Sequence, residues 1–114
     1  MKYLMLVVIE PDPDMTGLTD EELDVEPWVE ETGRRGIRIM GERLRPRSEA
    51  KVVRVRRGEL KTTDGPFAET KEVIAGFDVL DCANWDEAVE IASKHPVAKF
   101  GLIELRQFWE GDED

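Results

Sequence analysis

At 114 residues with 40% hydrophobic content, the chain can bury one core without disulfides or a structural metal, and it leaves little material for a second. The net charge of −10 weighs against nucleic acid and anionic membrane surfaces as partners. One cysteine, Cys82, and one histidine, His95, exclude an intrachain disulfide and a thiolate zinc site, and the lone thiol suits a reducing cytoplasm.

The first element runs over residues 2–9. Leu4, Leu6 and Val8 alternate with Tyr3, Met5, Val7 and Ile9, so both faces are apolar, as in a strand covered on two sides. The run is about a third of a membrane span, and Glu10-Pro11-Asp12 follows it where a signal peptide would carry small residues. Residues 10–18 read as a loop. Thr19-Asp20-Glu21-Glu22 is a capping box that opens a helix. Pro27 restarts it as a second segment over 27–35 with Trp28, Val29 and Thr32 inward, and Gly36 caps the end. Ile37–Leu44 reads as a strand with Ile37, Ile39, Gly41 and Arg43 on one face. Residues 52–57 and 59–63 form a hairpin around Gly58. Residues 64–72 are a loop. Val73–Asp81 is a second strand with two apolar faces. Asn84 caps a helix whose inward stripe is Ala88, Ile91, Ala92 and His95, and which Pro96 ends. Residues 101–108 form the last strand.

The order β-α-β, hairpin, β-α-β defines a single α+β domain over 1–114, a ferredoxin-like α/β sandwich with an extra β-hairpin. Two helices cover one face of such a sheet. Strands apolar on both faces need a second cover, and another copy of the same sheet supplies it, so a homodimer is expected. Charge is segregated along the chain: residues 1–31 hold ten acids and one base, and residues 32–58 hold ten bases and two acids. An acidic helix packed beside a basic hairpin would neutralise both, and a cationic pocket for an anionic small molecule is the sharper alternative.

The stretch TTDGPFAETKEVIAGFDVLD (62–81), with Asp64-Gly65-Pro66-Phe67 at its centre, resembles the YCII-related family, in particular its branch marked by a DGPF motif. GERLRP (41–46), Asp86-Glu87-Ala88, His95-Pro96 and GLIELR (101–106) extend the resemblance over essentially the whole chain. It implies a dimeric α+β barrel with a cleft near the dimer interface, bordered by the DGPF loop. Some relatives look like small enzymes acting on aromatic ring compounds, and others accompany sigma factors. Wider relatives carry a His–Asp pair with the histidine near the first helix. No histidine stands there in this chain, so that pair is not carried over.

Candidate catalytic groups are Asp64, a carboxylate held in a turn, and His95, at a helix C-terminus where the dipole favours its protonated form. In the Asp64 loop, Pro66 should hold Gly65 extended and Phe67 should anchor the loop in apolar surroundings. Gly65, Pro66 and Phe67, with Arg43, Glu104 and Arg106, are the candidate ligand contacts; Glu104 and Arg106 can pair along their strand. Asp64 as a plain turn residue and His95 as a half-buried structural residue are the competing readings. No phosphate loop, nucleotide fingerprint or metal-ligand spacing is visible, so no cofactor is expected. The expected function is binding or transformation of a small anionic or aromatic metabolite; the alternative is an interaction module for a protein partner such as a sigma factor.

Overall fold

The computed structural model describes residues 1–67 and 72–111. Strand β1 (Lys2–Ile9) is followed by a single helical turn α1 (Asp20–Leu23), helix α2 (Glu26–Arg34) and strand β2 (Arg38–Arg43). The hairpin β3 (Lys51–Arg56) and β4 (Glu59–Asp64) precedes β5 (Val73–Asp81), helix α3 (Trp85–Ser93) and β6 (Leu102–Gln107). The main sheet is antiparallel in the order β2-β5-β1-β6, which is the ferredoxin-like arrangement. The hairpin stands apart as a two-stranded sheet of its own.

Local chemistry explains the elements. Thr19 Oγ1 accepts from Glu22 N at 3.2 Å and opens α1. Asn84 Oδ1 accepts from Glu87 N at 2.9 Å, and Glu87 Oε1 reaches back to Ala83 N at 3.1 Å, so α3 is capped from both sides. Arg57 and Gly58 have φ of +52° and +75°, the pair of left-handed residues a tight two-residue hairpin turn requires.

The core lies between the sheet and the helices. Tyr3, Met5 and Leu80 on the strands meet Trp28, Ala88 and Ile91 on α2 and α3. Trp28 Nε1 donates to Ile91 O at 3.0 Å and joins the two helices. Cys82 is buried in the same core; burial, with Glu87 and Asp81 adding, pushes its thiol pKa up, so it is an inert hydrophobe there. The opposite face of the sheet carries Leu4 against Val79 and Leu6 against Phe77, half-buried, with Met40 exposed beside them.

Three expectations change. Ile39 is an extra residue between Arg38, opposite Leu80, and Met40, opposite Val79. This bulge breaks the period of two, so Ile37 is buried in the helix-side core and Gly41 and Arg43 face the same side, while Ile39 is half exposed and does not share their face as simple alternation implies. A short 3-10 turn, Pro96–Lys99, lies between α3 and β6, because Pro96 opens a turn as readily as it stops a helix. The basic hairpin is not packed beside the acidic helices: among the described residues no salt bridge links them, and the pair on the hairpin, Lys51–Asp64, is local.

Candidate functional site

A cleft of about 480 Å³ opens between α2 and the helix-facing side of β1, β2 and β5. Its walls include Val7, Ile9, Val29 and the ring of Trp28, and its floor carries charge. Along β5 the residues facing the helices are Gly76, Asp78 and Leu80, so Asp78 is set into an otherwise apolar layer and is buried. The bulge at Ile39 brings Arg38 to the same face, and Arg38 Nε donates to Asp78 Oδ1 at 2.7 Å. Gly41 lies opposite Asp78 in the register. A methyl group at Gly41 would collide with Asp78 Oδ1 and Arg38 Nη2, so the absent side chain is what admits the ion pair.

His95 lines the same cleft. It initiates the turn at Pro96, where its Nδ1 accepts from Val97 N at 3.1 Å. A nitrogen that accepts carries no proton, which assigns the neutral tautomer with hydrogen on Nε2. The ring stands edge-on to Trp28 at 4.9 Å. Burial holds the His95 pKa below its ordinary range, and the charge of Asp78 pushes less strongly the other way. The expected protonated histidine is therefore corrected: burial, which disfavours the charged ring, is the larger effect, and His95 opens the Pro96 turn instead of ending α3.

Arg43 also lines the cleft and has no hydrogen-bond or ion-pair partner among the described residues. The other candidates lie elsewhere. Asp64 ends β4 on the hairpin, is 85% exposed at its side chain, and accepts from Lys51 Nζ at 2.8 Å instead of from backbone amides. Gly65, with φ +93°, donates its N–H to Ala50 O at 2.7 Å, a left-handed bend in place of the extended geometry expected before Pro66. Phe67 is not anchored: it is 78% exposed, with the guanidinium of Arg54 over its ring at 5.2 Å. Glu104 and Arg106 do pair along β6, at 2.7 Å, but on the open face opposite Leu6 and Leu4.

The structure thus gathers His95 and Arg43 and adds Arg38, Asp78 and Trp28, which the sequence pattern does not nominate. The signal for Asp78 was present. It is a carboxylate within the apolar run IAGFDVL, where a buried charge needs a partner. Among the described residues no three of His, Cys, Asp and Glu converge as a metal site requires.

The fold and this cleft define an antiparallel α+β sandwich with a lined, partly charged pocket beneath α2. The YCII-related domain matches residues 1–111, and the chain belongs to that family. It is 50% identical over 50 residues, 44% of this chain, to an uncharacterised protein of Rhizobium meliloti (strain 1021), and the match spans 40% of that protein's length. In structure it is similar to 5-chloro-2-hydroxyhydroquinone dehydrochlorinase from Burkholderia phenoliruptrix AC1100, solved with 2,5-dihydroxybenzoquinone. That likeness has a TM-score of 0.54 at 14% identity over 97% of this chain and 96% of the other, and it shows the fold.

Proposed function

We propose that the protein, as a homodimer, binds a small anionic or aromatic metabolite in the cleft beneath α2. The observation that carries this reading is the Arg38–Asp78 pair, set in apolar surroundings beside a neutral His95. A pair so placed contributes little net stability relative to apolar packing, and Gly41 is shaped to admit it. Ligand recognition gives a reason to keep it. The volume lies within the ordinary range for small-molecule sites. A ring would stack against Trp28, an acidic substituent would meet Arg43, and His95 Nε2–H with the free oxygen of Asp78 would offer one donor and one acceptor. The quinone held by the dehydrochlorinase is a ligand of this size and kind.

The Asp64-Gly65-Pro66-Phe67 turn puts the chain in the DGPF-motif branch on our reading. Its residues stand outside the cleft of their own subunit, so they would meet a ligand only from a partner copy. The free, buried Cys82 fits a cytoplasmic location.

Calorimetric titration with benzoate and with 2,5-dihydroxybenzoquinone tests the cleft. We expect Arg43→Gln to weaken the tighter of the two by about tenfold, as for one lost charge-assisted contact, with the melting temperature unchanged. Asp78→Asn should abolish the preference between the two probes. Equal binding by wild type and both variants would place the ligand elsewhere, and no binding of either probe to wild type would remove the proposed ligand class.

A further inference from the structure

Two buried polar side chains of the cleft each leave one atom without a partner. His95 and Asp78 are both 6% exposed, and both line the cavity beneath α2. His95 uses Nδ1 to accept from Val97 N–H, and among the described residues its Nε2–H donates to nothing. Asp78 uses Oδ1 to accept from Arg38, and its second oxygen accepts nothing among those residues. Neither atom is sealed in. Among the described buried side-chain atoms, the one both enclosed and unpartnered is the Tyr3 hydroxyl, so His95 Nε2 and Asp78 Oδ2 keep open surface, and the cleft is what their side chains line. Buried polar groups are kept with partners, and only an occupant of the cleft can supply these two.

The local structure fixes what each group can do. With Nδ1 tied to Val97 and the ring set edge-on to Trp28, the imidazole presents Nε2 to the cleft as a neutral donor. A neutral imidazole in that role polarises a carbonyl and stabilises the oxygen of an enolate. Arg38 holds the Asp78 carboxylate by one oxygen and leaves the other to take a proton.

We propose that the cleft catalyses keto–enol tautomerisation of an aryl 2-oxo acid, with Asp78 as the base and His95 as the donor to the carbonyl oxygen. Asp78 Oδ2 takes a proton from the carbon beside the carbonyl. The C–H electron pair forms the C=C bond, and the carbonyl π pair moves onto oxygen, where the hydrogen bond from Nε2–H strengthens. Transfer of the proton from the Asp78 carboxyl to that oxygen gives the enol, and its return to carbon restores the ketone. Nothing is oxidised or reduced, and no co-reactant is consumed. The ring lies on Trp28 and the acid group meets Arg43, so the proposal rests on the binding reading above and adds a reaction to it.

Phenylpyruvate in deuterium oxide is the probe: proton NMR follows loss of its methylene signal, and calorimetry gives its affinity. Wild type should exchange the methylene protons at least about a hundredfold faster than buffer, the lower end of acid–base catalysis. Asp78→Asn keeps an acceptor for Arg38 and should exchange at the buffer rate. His95→Asn keeps an acceptor for Val97 N–H and withdraws the donor from the cleft. Its kcat should fall by about a hundredfold, as for one lost contact to a developing oxyanion, with affinity held within about threefold. Wild type that binds phenylpyruvate and exchanges no faster than buffer overturns the reaction and leaves the binding site standing, and this measurement decides even where a variant does not fold. Undiminished exchange in both folded variants also overturns it. No binding of phenylpyruvate overturns the substrate class; if benzoate and 2,5-dihydroxybenzoquinone fail to bind as well, the cleft reading falls with it.

Discussion

At the scale of single residues, the site depends on an absent side chain and an absent proton. Gly41→Ala should cost about 2 kcal/mol or more, because the methyl group meets Asp78 and Arg38 inside a packed layer. Combined with Asp78→Ala, the loss should be smaller than the sum of the two single losses, since the collision with the carboxylate is then gone and the freed Arg38 side chain can shift; urea unfolding of the four proteins gives the cycle. His95 makes a pH prediction. Its folded-state pKa lies below the unfolded one, so below about pH 6.5 the unfolded chain binds more protons. Its contribution to stability is complete above that pH and is lost as the pH falls from there through the folded value. His95→Asn keeps an acceptor for Val97 N–H and cannot titrate. Its denaturation midpoint should therefore fall less than that of wild type between about pH 7.5 and pH 5. An equal fall in both would show that His95 titrates alike in the folded and unfolded chains. Of the two candidate acid–base groups, the sequence marks His95 as facing the sheet because it continues the spacing of the α3 stripe just past the helix end. It does not reveal the protonation state, which depends on how much water the fold removes.

At the scale of elements, the legible signals are those with local causes. The caps at Thr19 and Asn84, the restart at Pro27 and the hairpin around Gly58 depend on groups within four residues of one another, and all form as read. The bulge at Ile39 has no such cause. It arises where β2 meets β5, and it decides which of Arg38 and Ile39 enters the cleft. The hairpin turn carries its own prediction. Arg57 occupies a left-handed conformation that Asn tolerates at lower cost. Arg57→Asn should slow amide exchange of residues 51–64 by about threefold, equivalent to roughly 0.6 kcal/mol of local opening energy. Unchanged exchange would mean that the hairpin is held by contacts beyond its own turn.

At the scale of the molecule, the chain folds into a slab. Its extents of 49 × 41 × 20 Å correspond to one sheet and one helix layer, with the hairpin adding length. The radius of gyration, 16.6 Å, exceeds the ~13 Å of a compact domain of this size. In the proposed homodimer a second copy covers the face that carries Leu4, Leu6, Phe77 and Val79. Light scattering at micromolar concentration should give twice the 13.0 kDa chain mass. The melting temperature should rise with protein concentration, as it does whenever association stabilises the folded state. A concentration-independent melt with a monomer mass would leave that face without its proposed cover.

The amino-acid sequence alone determined the element order, the ferredoxin-like class, the capped helix ends and the two-sided apolar strands, because each follows from short-range periodicity or from a cap within one turn. Tertiary structure alone decided the site. The pairing of Arg38 with Asp78 spans forty residues and depends on a bulge, on a glycine opposite the carboxylate and on the helix layer that removes water from His95. It also decided that Asp64 and Phe67 stand on the exposed hairpin and the turn that leaves it and not in the cleft, since a turn motif specifies its own backbone but not the surface that the turn will face.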